Sequence, residues 1–205
     1  MQHNSNLHSP YVKTSLICPL MLYPNQMDNK MYLHLKDNLI KKLVNKCYKN
    51  YGFITNIYKI DQISDGLVEA EDSSCSSKMI VKFSCRLCYP IKNKEIICII
   101  HRMNKALISA TNGPIKAIIT PDKINKEVFF IDVDRFIRIK QNSEIIVPNL
   151  YVKVLILESS FSDHDVDILT IGFLQNIASP DEIKFYESEN KNNIPENEYE
   201  QDYDV

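Results

Sequence analysis

The chain has 205 residues, 44% of them hydrophobic, and a formal net charge of −2. This length suits one large domain or two small ones, and the apolar fraction is sufficient for a packed core. No apolar run reaches the roughly 18–20 residues of a membrane-spanning helix, and residues 1–10 lack the apolar stretch of a secretion signal. We therefore expect no membrane association and reduced cysteines in a cytosolic or nuclear setting.

The charge is unevenly distributed. Residues 181–205 contain nine acidic and two basic residues, a net of −7, which leaves 22 basic and 17 acidic residues, a net of +5, for positions 1–180. A mildly basic body with an acidic tail is typical of a nucleic-acid-associated protein. A tail that only aids solubility fits equally well.

Residues 11–90 are predicted to form a small α+β unit after a disordered segment, residues 1–10. The mostly apolar run 12–22 indicates a strand that ends near Pro24, and apolar side chains then recur at helical spacing from Met31 to Val44. Alternating apolar and polar residues after this helix predict three strands, which end near Pro90.

A basic, aromatic loop, Tyr48–Phe53, joins the helix to the first of these three strands. Gly52 tolerates a positive φ, so the backbone can turn tightly there while the neighbouring rings stay outside. The pattern predicts an exposed loop that contacts another molecule.

Residues 91–178 lose the helical periodicity and contain short strands separated by turn signals such as Asn112-Gly113-Pro114. About five main strands in this length predict a closed β-barrel of the OB type. Residues 179–205 are polar and acidic, and we predict a disordered tail. The predicted fold class is thus α+β, with a tip domain followed by an OB-fold barrel.

The chain shows no recognisable catalytic constellation. His101 lies in no nucleophile or metal-ligand motif, and Asp163-His164-Asp165 falls between two apolar strands, where a solvated turn is favoured over an acid–base cluster. Cys85 and Cys88 form a CxxC pair, but a structural zinc site needs four ligands, so ordinary packing is the preferred interpretation. We predict no catalytic residues, no metal and no cofactor.

Basic residues are frequent on the predicted barrel strands, and Phe136, Arg138 and Lys140 alternate, so they share one face of a strand. Cations beside an aromatic platform are typical of single-strand RNA binding. A solvated basic edge that prevents strand aggregation fits equally well. The predicted RNA-contact residues are Lys105, Lys116, Phe136, Arg138, Lys140 and Lys153.

The order of these parts resembles the larger stalk subunit of multisubunit DNA-dependent RNA polymerases, the family of the seventh subunit of eukaryotic RNA polymerase II and the archaeal E-prime subunit. The resemblance covers about residues 13–178. It rests on Leu22-Tyr23-Pro24, Lys49–Ile54, Ile60–Ile63 and Gly66 in the first half and on Asn104-Lys105, Gly113-Pro114, Ile118-Ile119 and Ile171-Gly172 in the second.

This resemblance implies a non-catalytic subunit whose tip domain docks on the polymerase core beside the RNA exit channel and whose barrel contacts nascent RNA and initiation factors. The implied partners are the largest core subunit, a small core subunit, a smaller stalk subunit and RNA. The A+T-rich residue usage favours a large cytoplasmic DNA virus, hence host cytoplasm and virion, whereas a cellular eukaryotic protein would be nuclear. The implied docking residues are Leu22, Tyr23, Pro24, Lys49, Asn50, Tyr51, Gly52 and Phe53.

The barrel departs from this family at positions that matter for RNA. Related barrels place a glycine and an aromatic residue where this chain has Leu107 and Ser109, and a further aromatic where it has Ile118. Because stacking contributes about 1–3 kcal/mol per base, we expect weak, salt-sensitive binding through phosphates. The alternative function is a free-standing single-stranded RNA-binding protein of translation or RNA decay.

Overall fold

The computed structural model describes residues 7–104, 106–132, 137–140 and 143–191. The elements of the N-terminal unit are β1 Tyr11–Leu22, the 3-10 turn Pro24–Gln26, α1 Met31–Leu43, β2 Lys46–Tyr48, β3 Gly52–Ile63, β4 Leu67–Val68 and β5 Ser77–Cys88. The strands form an antiparallel sheet in the order β1-β5-β3-β2, with β4 paired to β5. The 3-10 turn and α1 lie between β1 and β2.

The two faces of this sheet differ. Helix α1 buries Leu35, Leu39 and Leu43 against the inner face, to which the strands contribute alternate apolar side chains. The opposite, outer face keeps Ile17 and Ile80 exposed. This alternation is what the period-2 pattern of β5 predicts.

The second half is a closed five-stranded barrel with a two-stranded sheet beside it. The barrel strands are β6 Glu95–Met103, β7 Ile108–Asn112, β8 Ile115–Ile119, β11 Tyr151–Ser160 and β12 Ile168–Ile177, and the small sheet consists of β9 Phe129–Ile131 and β10 Ile137–Ile139. The barrel closes in the order β11-β12-β8-β7-β6. The predicted α+β class with an OB-type barrel is confirmed.

A C-terminal helix corrects one prediction. Residues 179–205 were expected to be disordered, but Pro180–Lys191 form helix α2. Ser179 and Glu182 cap its start reciprocally, because the Ser179 N–H donates to Glu182 Oε2 at 2.7 Å and the Glu182 N–H donates to Ser179 Oγ at 3.4 Å. The Ser-Pro-Asp-Glu sequence is a capping-box signal with proline at the first helical position. Residues 192–205 lie outside the described residues.

The two halves share buried surface. Cys47, Phe53 and Cys88 from the N-terminal sheet belong to the same buried cluster as the barrel interior. Tyr89 and Phe161 add an edge-to-face ring contact across the same junction, with centroids 6.1 Å apart. In the part of the chain that the structure describes, no helix is long and apolar enough to cross a membrane.

Candidate functional site

The loop Tyr48–Phe53 lies at the junction of the two halves. Its backbone turns sharply because Lys49 adopts a φ of 48° and Gly52 a φ of 133°. A side chain on Gly52 would bring its Cβ to 2.6 Å from the carbonyl oxygen of Cys88. Glycine is therefore required by the close approach of β3 to β5 as well as by the turn.

Hydrogen bonds attach this loop and the adjoining Cys47 of β2 to the barrel segment 162–165. The Cys47 N–H donates to the Asp165 carbonyl at 2.7 Å, and the His164 N–H donates to the Cys47 carbonyl at 2.9 Å. The Lys49 N–H donates to Asp163 Oδ1 at 2.7 Å. Burial, together with the nearby carboxylates, raises the pKa of the Cys47 thiol to about 11. The loop thus fixes the barrel against the sheet.

The side chains of the loop divide into buried and exposed groups. Phe53 is only 7% exposed, and Tyr48 is buried with its hydroxyl donating to the Ile17 carbonyl at 2.9 Å. Tyr51 is 50% exposed and stacks on Tyr48 with ring centroids 6.0 Å apart. Gly52 is also buried. The predicted docking role of Gly52 and Phe53 is therefore corrected, because both residues pack inside this chain. Lys49, Asn50 and Tyr51 remain accessible to a partner.

The segment Leu22-Tyr23-Pro24 lies at the other end of the sheet. Leu22 pairs with Ser77 at the start of β5, whereas Phe53 pairs with Cys88 at its end. These eleven steps along a strand correspond to about 36 Å. Leu22 is fully buried and packs in the core, which corrects its predicted docking role, while Tyr23 and Pro24 are exposed.

Exposed apolar side chains from two chain segments lie at this end of the sheet, and we call them the distal apolar cluster. Val68 of β4 pairs with Ser77 on one side of β5, and Leu22 of β1 pairs with Ser77 on the other. Leu67 is 63% exposed and Tyr23 is 50% exposed. The cluster comprises Met21, Tyr23, Met27, Leu67 and Val68.

The backbone of the cluster is anchored to α1. The Tyr23 N–H donates to Gln26 Oε1 at 3.2 Å, and Asn38 Nδ2 of the helix donates to the same oxygen at 2.9 Å. These bonds fix the 3-10 turn, so the exposed Tyr23 and Met27 side chains project from an ordered support. Preorganised apolar side chains of this kind bind a partner at a low entropic cost.

The predicted RNA-contact cations lie on separate elements and most of those described form ion pairs. Lys116 on β8 pairs with Asp167, and Arg138 on β10 donates from Nε to Asp132 Oδ2 at 2.7 Å. Lys140 follows β10 and is exposed. Lys105 and Phe136 lie outside the described residues.

Helix α2 covers the remaining member of that set, Lys153. Its ammonium lies 3.1 Å from Glu182 Oε1, and both side chains are largely buried. Burial acts to raise the pKa of Glu182, but hydrogen bonds from Ser179 and Lys153 lower it more, so the net pKa is below its usual range. Tyr186 packs edge-on against Tyr151 with centroids 5.7 Å apart. The helix therefore occupies the surface on which Lys153 was expected to meet RNA.

The other sequence motifs have structural roles. Asp165 Oδ2 accepts the Ser162 N–H at 2.6 Å, which closes the predicted turn. Cys85 belongs to the core under α1 and Cys88 to the cluster shared with the barrel. Burial raises the pKa of the Cys85 thiol to about 12. Among the described residues, no group of three or more His, Cys, Asp or Glu side chains is placed to hold a metal ion.

These features define a class of protein: a small α+β unit with an exposed apolar end, packed against an OB-type barrel. Residues 20–73 match the family described as "SHS2 domain found in N terminus of Rpb7p/Rpc25p/MJ0397". The chain is 31% identical over 181 residues, 88% of its length and 90% of the relative's, to L376, a candidate DNA-directed RNA polymerase subunit of Acanthamoeba polyphaga mimivirus.

Two plant proteins are also similar. DNA-directed RNA polymerase II subunit 7 of Arabidopsis thaliana is 26% identical over 121 residues, covering 54% of this chain and 68% of that protein. DNA-directed RNA polymerase II subunit RPB7 of Glycine max is 24% identical over 144 residues, covering 61% of this chain and 81% of that protein. The chain belongs to the Rpb7 family of DNA-directed RNA polymerase subunits, and the predicted resemblance is confirmed.

Sequence reasoning found Tyr23 and Pro24 but missed Met21, Met27, Leu67 and Val68. Leu67 and Val68, the adjacent apolar residues after the Gly66 turn, were a usable signal for an exposed strand. The register that brings this pair beside Leu22 depends on long-range pairing with Ser77 and could not be read from the local pattern.

Proposed function

We propose that this polymerase subunit is a non-catalytic stalk subunit that binds the polymerase core through the distal apolar cluster. The observation that carries the proposal is the exposure of five large apolar side chains on an ordered support, at the end of the sheet remote from the barrel. Large exposed apolar side chains grouped at one end of a domain favour a protein-binding surface there.

The composition of the cluster favours a protein partner. Aromatic residues and methionine are enriched in the cores of protein interfaces, and a few such residues contribute most of the binding energy. Tyr23 and Met27 provide these types on one side of β5, and Leu67 and Val68 extend the apolar surface on the other. The expected partners are core subunits, the largest subunit and a small one among them.

The barrel is proposed to contact nascent RNA weakly through Lys140, which follows β10 and is exposed. Lys116, Arg138 and Lys153 are ion-paired, and Lys153 lies under α2. A few phosphate contacts give an affinity that falls steeply with salt. Initiation factors and a smaller stalk subunit are further expected partners of the barrel half, and family membership disfavours a free-standing RNA-binding protein.

The test is affinity purification of the tagged full chain from its native source, expected to be host cytoplasm and virion for a viral protein or nucleus for a cellular one. Wild-type protein should recover large polymerase subunits, and Tyr23→Ala with Met27→Ala should lose them. The matched control is Val166→Ala with Leu169→Ala, two exposed apolar residues of the barrel half. Recovery of RNA without polymerase subunits, or equal loss in both double variants, would refute the proposal.

A further inference from the structure

The outer face of the N-terminal sheet combines exposed apolar and basic side chains. Ile17 on β1 is 56% exposed and Ile80 on β5 is 57% exposed. The register places Ile17 beside Lys82 and Pro19 beside Ile80. This surface is separate from the inner face, which packs on α1.

Basic residues outnumber acidic ones along the face. Lys59 pairs with Asp61 at 3.7 Å, and Lys78 pairs with Glu69 at 2.6 Å. Lys13 Nζ lies 4.8 Å from the ring centre of Tyr58. With Lys82 the exposed cations of this face among the described residues number four, against these two carboxylates. The charge and the exposed isoleucines of this surface are complementary to a segment that is both acidic and apolar.

Helix α2 ends beside one edge of this face. Arg86, on the outer side of β5, donates from Nη2 to the carbonyl oxygen of Glu189 in the last turn of the helix at 2.9 Å. The guanidinium carbon of Arg86 also lies 4.3 Å from the ring centre of Tyr11. The chain therefore leaves α2 where the outer face begins.

The residues that follow α2 have the complementary chemistry. Positions 192–205 contain five acidic and no basic residues, together with Ile194, Tyr199, Tyr203 and Val205. From Arg86 to Lys78 the face extends about 26 Å along β5. Fourteen residues can span up to about 46 Å when extended, so the segment is long enough to reach every cation of the face.

We propose that residues 192–205 bind to the outer face of the N-terminal sheet of the same chain, with carboxylates near Lys13, Lys59 and Lys82 and apolar side chains over Ile17 and Ile80. The segment continues the chain from α2, whose last turn is held beside the face by Arg86. The contact is therefore intramolecular, which gives the segment a high effective concentration at the face. The acidic segment thereby covers the exposed apolar residues of this face. This inference does not depend on the proposed docking to polymerase.

A paramagnetic label on the segment tests this directly. In the full chain, Cys75→Ser removes the one exposed cysteine, and Tyr203→Cys then carries a nitroxide. Methyl resonances of Ile17 and Ile80 should broaden strongly, while those of Ile118 and Ile171, exposed isoleucines of the barrel, should not. The broadening should fall several-fold near 1 M salt, where the screening length is about 3 Å.

Two variants and one mixing experiment complete the test. The double substitution Lys13→Gln with Lys82→Gln should reduce the broadening several-fold. Replacing all five acidic residues of the segment, each Glu by Gln and each Asp by Asn, should reduce it to a similar extent. Equal broadening of face and barrel methyls, or none at either, would overturn the proposal. In the mixing experiment, the nitroxide is on one set of chains and the isotope is on another, unlabelled set. Broadening that appears in this mixture as strongly as within one doubly labelled chain would also overturn the proposal, because the face would then bind a second copy.

Discussion

The two ends of the N-terminal sheet look alike in sequence and differ in the fold. Each carries tyrosine next to a turn-forming residue, Tyr51-Gly52 at one end and Tyr23-Pro24 at the other. At the barrel end the backbone is fixed by Asp163 and Asp165 and Phe53 is buried, whereas at the distal end five apolar side chains remain exposed. Residue type alone therefore does not show which end of the sheet joins the two halves and which end is left available for a partner. The strand register shows this, because it places the two tyrosines at opposite ends of β5.

The largest expected effect is that of Phe53→Ala. Because the ring is buried in the cluster shared with the barrel, its removal should lower the free energy of unfolding by about 3–5 kcal/mol. Urea denaturation measures this. Tyr51→Ala, at an exposed ring in the same loop, is the matched control and should cost less than about 1 kcal/mol. Equal effects of the two variants would mean that the loop does not anchor the barrel.

Gly52→Ala tests the turn at the junction. The new Cβ would lie 2.6 Å from a backbone oxygen at a φ of 133°, so we expect a loss of about 1–3 kcal/mol in the free energy of unfolding. Asn50→Ala, two residues away and exposed, serves as the control. A Gly52→Ala protein as stable as the control would contradict the close approach of β3 to β5.

Glu182→Gln tests the attachment of α2 to the barrel. The folded-state pKa of Glu182 is below its usual value, so its stabilising contribution is present above the unfolded pKa of about 4.3 and is lost as the pH falls through the lower folded value. We expect Gln to cost about 1 kcal/mol at pH 7 and the difference from wild type to shrink below about pH 4. A difference that grows on acidification would contradict the Lys153–Glu182 pairing.

The smallest expected effect on stability is at the distal end. Tyr23→Ala with Met27→Ala should change the free energy of unfolding by less than about 0.5 kcal/mol per site, because both side chains are exposed. Thermal melts of the isolated chain measure this. A loss as large as that of Phe53→Ala would show that these residues are part of the core and would remove the distinction between the two ends.

Much of the fold could be predicted from local patterns. The apolar spacing of α1 and the alternation of β5 gave the helix and the two faces of the sheet, and the turn signals of the second half gave a barrel. The packing of the loop Tyr48–Phe53 against the barrel could not be read from the local pattern, because Cys47 and Lys49 bond to Asp165 and Asp163, more than a hundred positions away. Ion pairing of Lys116 and Lys153 also depends on carboxylates outside the local pattern, 51 and 29 positions away.

Helix α2 was missed for a different reason. Its composition is polar enough to indicate disorder, but the Ser179–Glu182 capping box and burial of Tyr186 stabilise it on the barrel. The prediction of disorder rested on the acidic composition alone and did not consider the capping signal at Ser179–Glu182.

The central claim, that the distal end of the sheet binds the polymerase core, is tested most directly by site-specific photo-crosslinking. A photoreactive phenylalanine analogue replaces Tyr23 or, in a second protein, Tyr51, and the tagged chain is assembled with polymerase in its native source. We predict that position 23 crosslinks to a core subunit and that position 51 does so at least several-fold less. Crosslinks to the core from position 51 but none from position 23 would contradict the account.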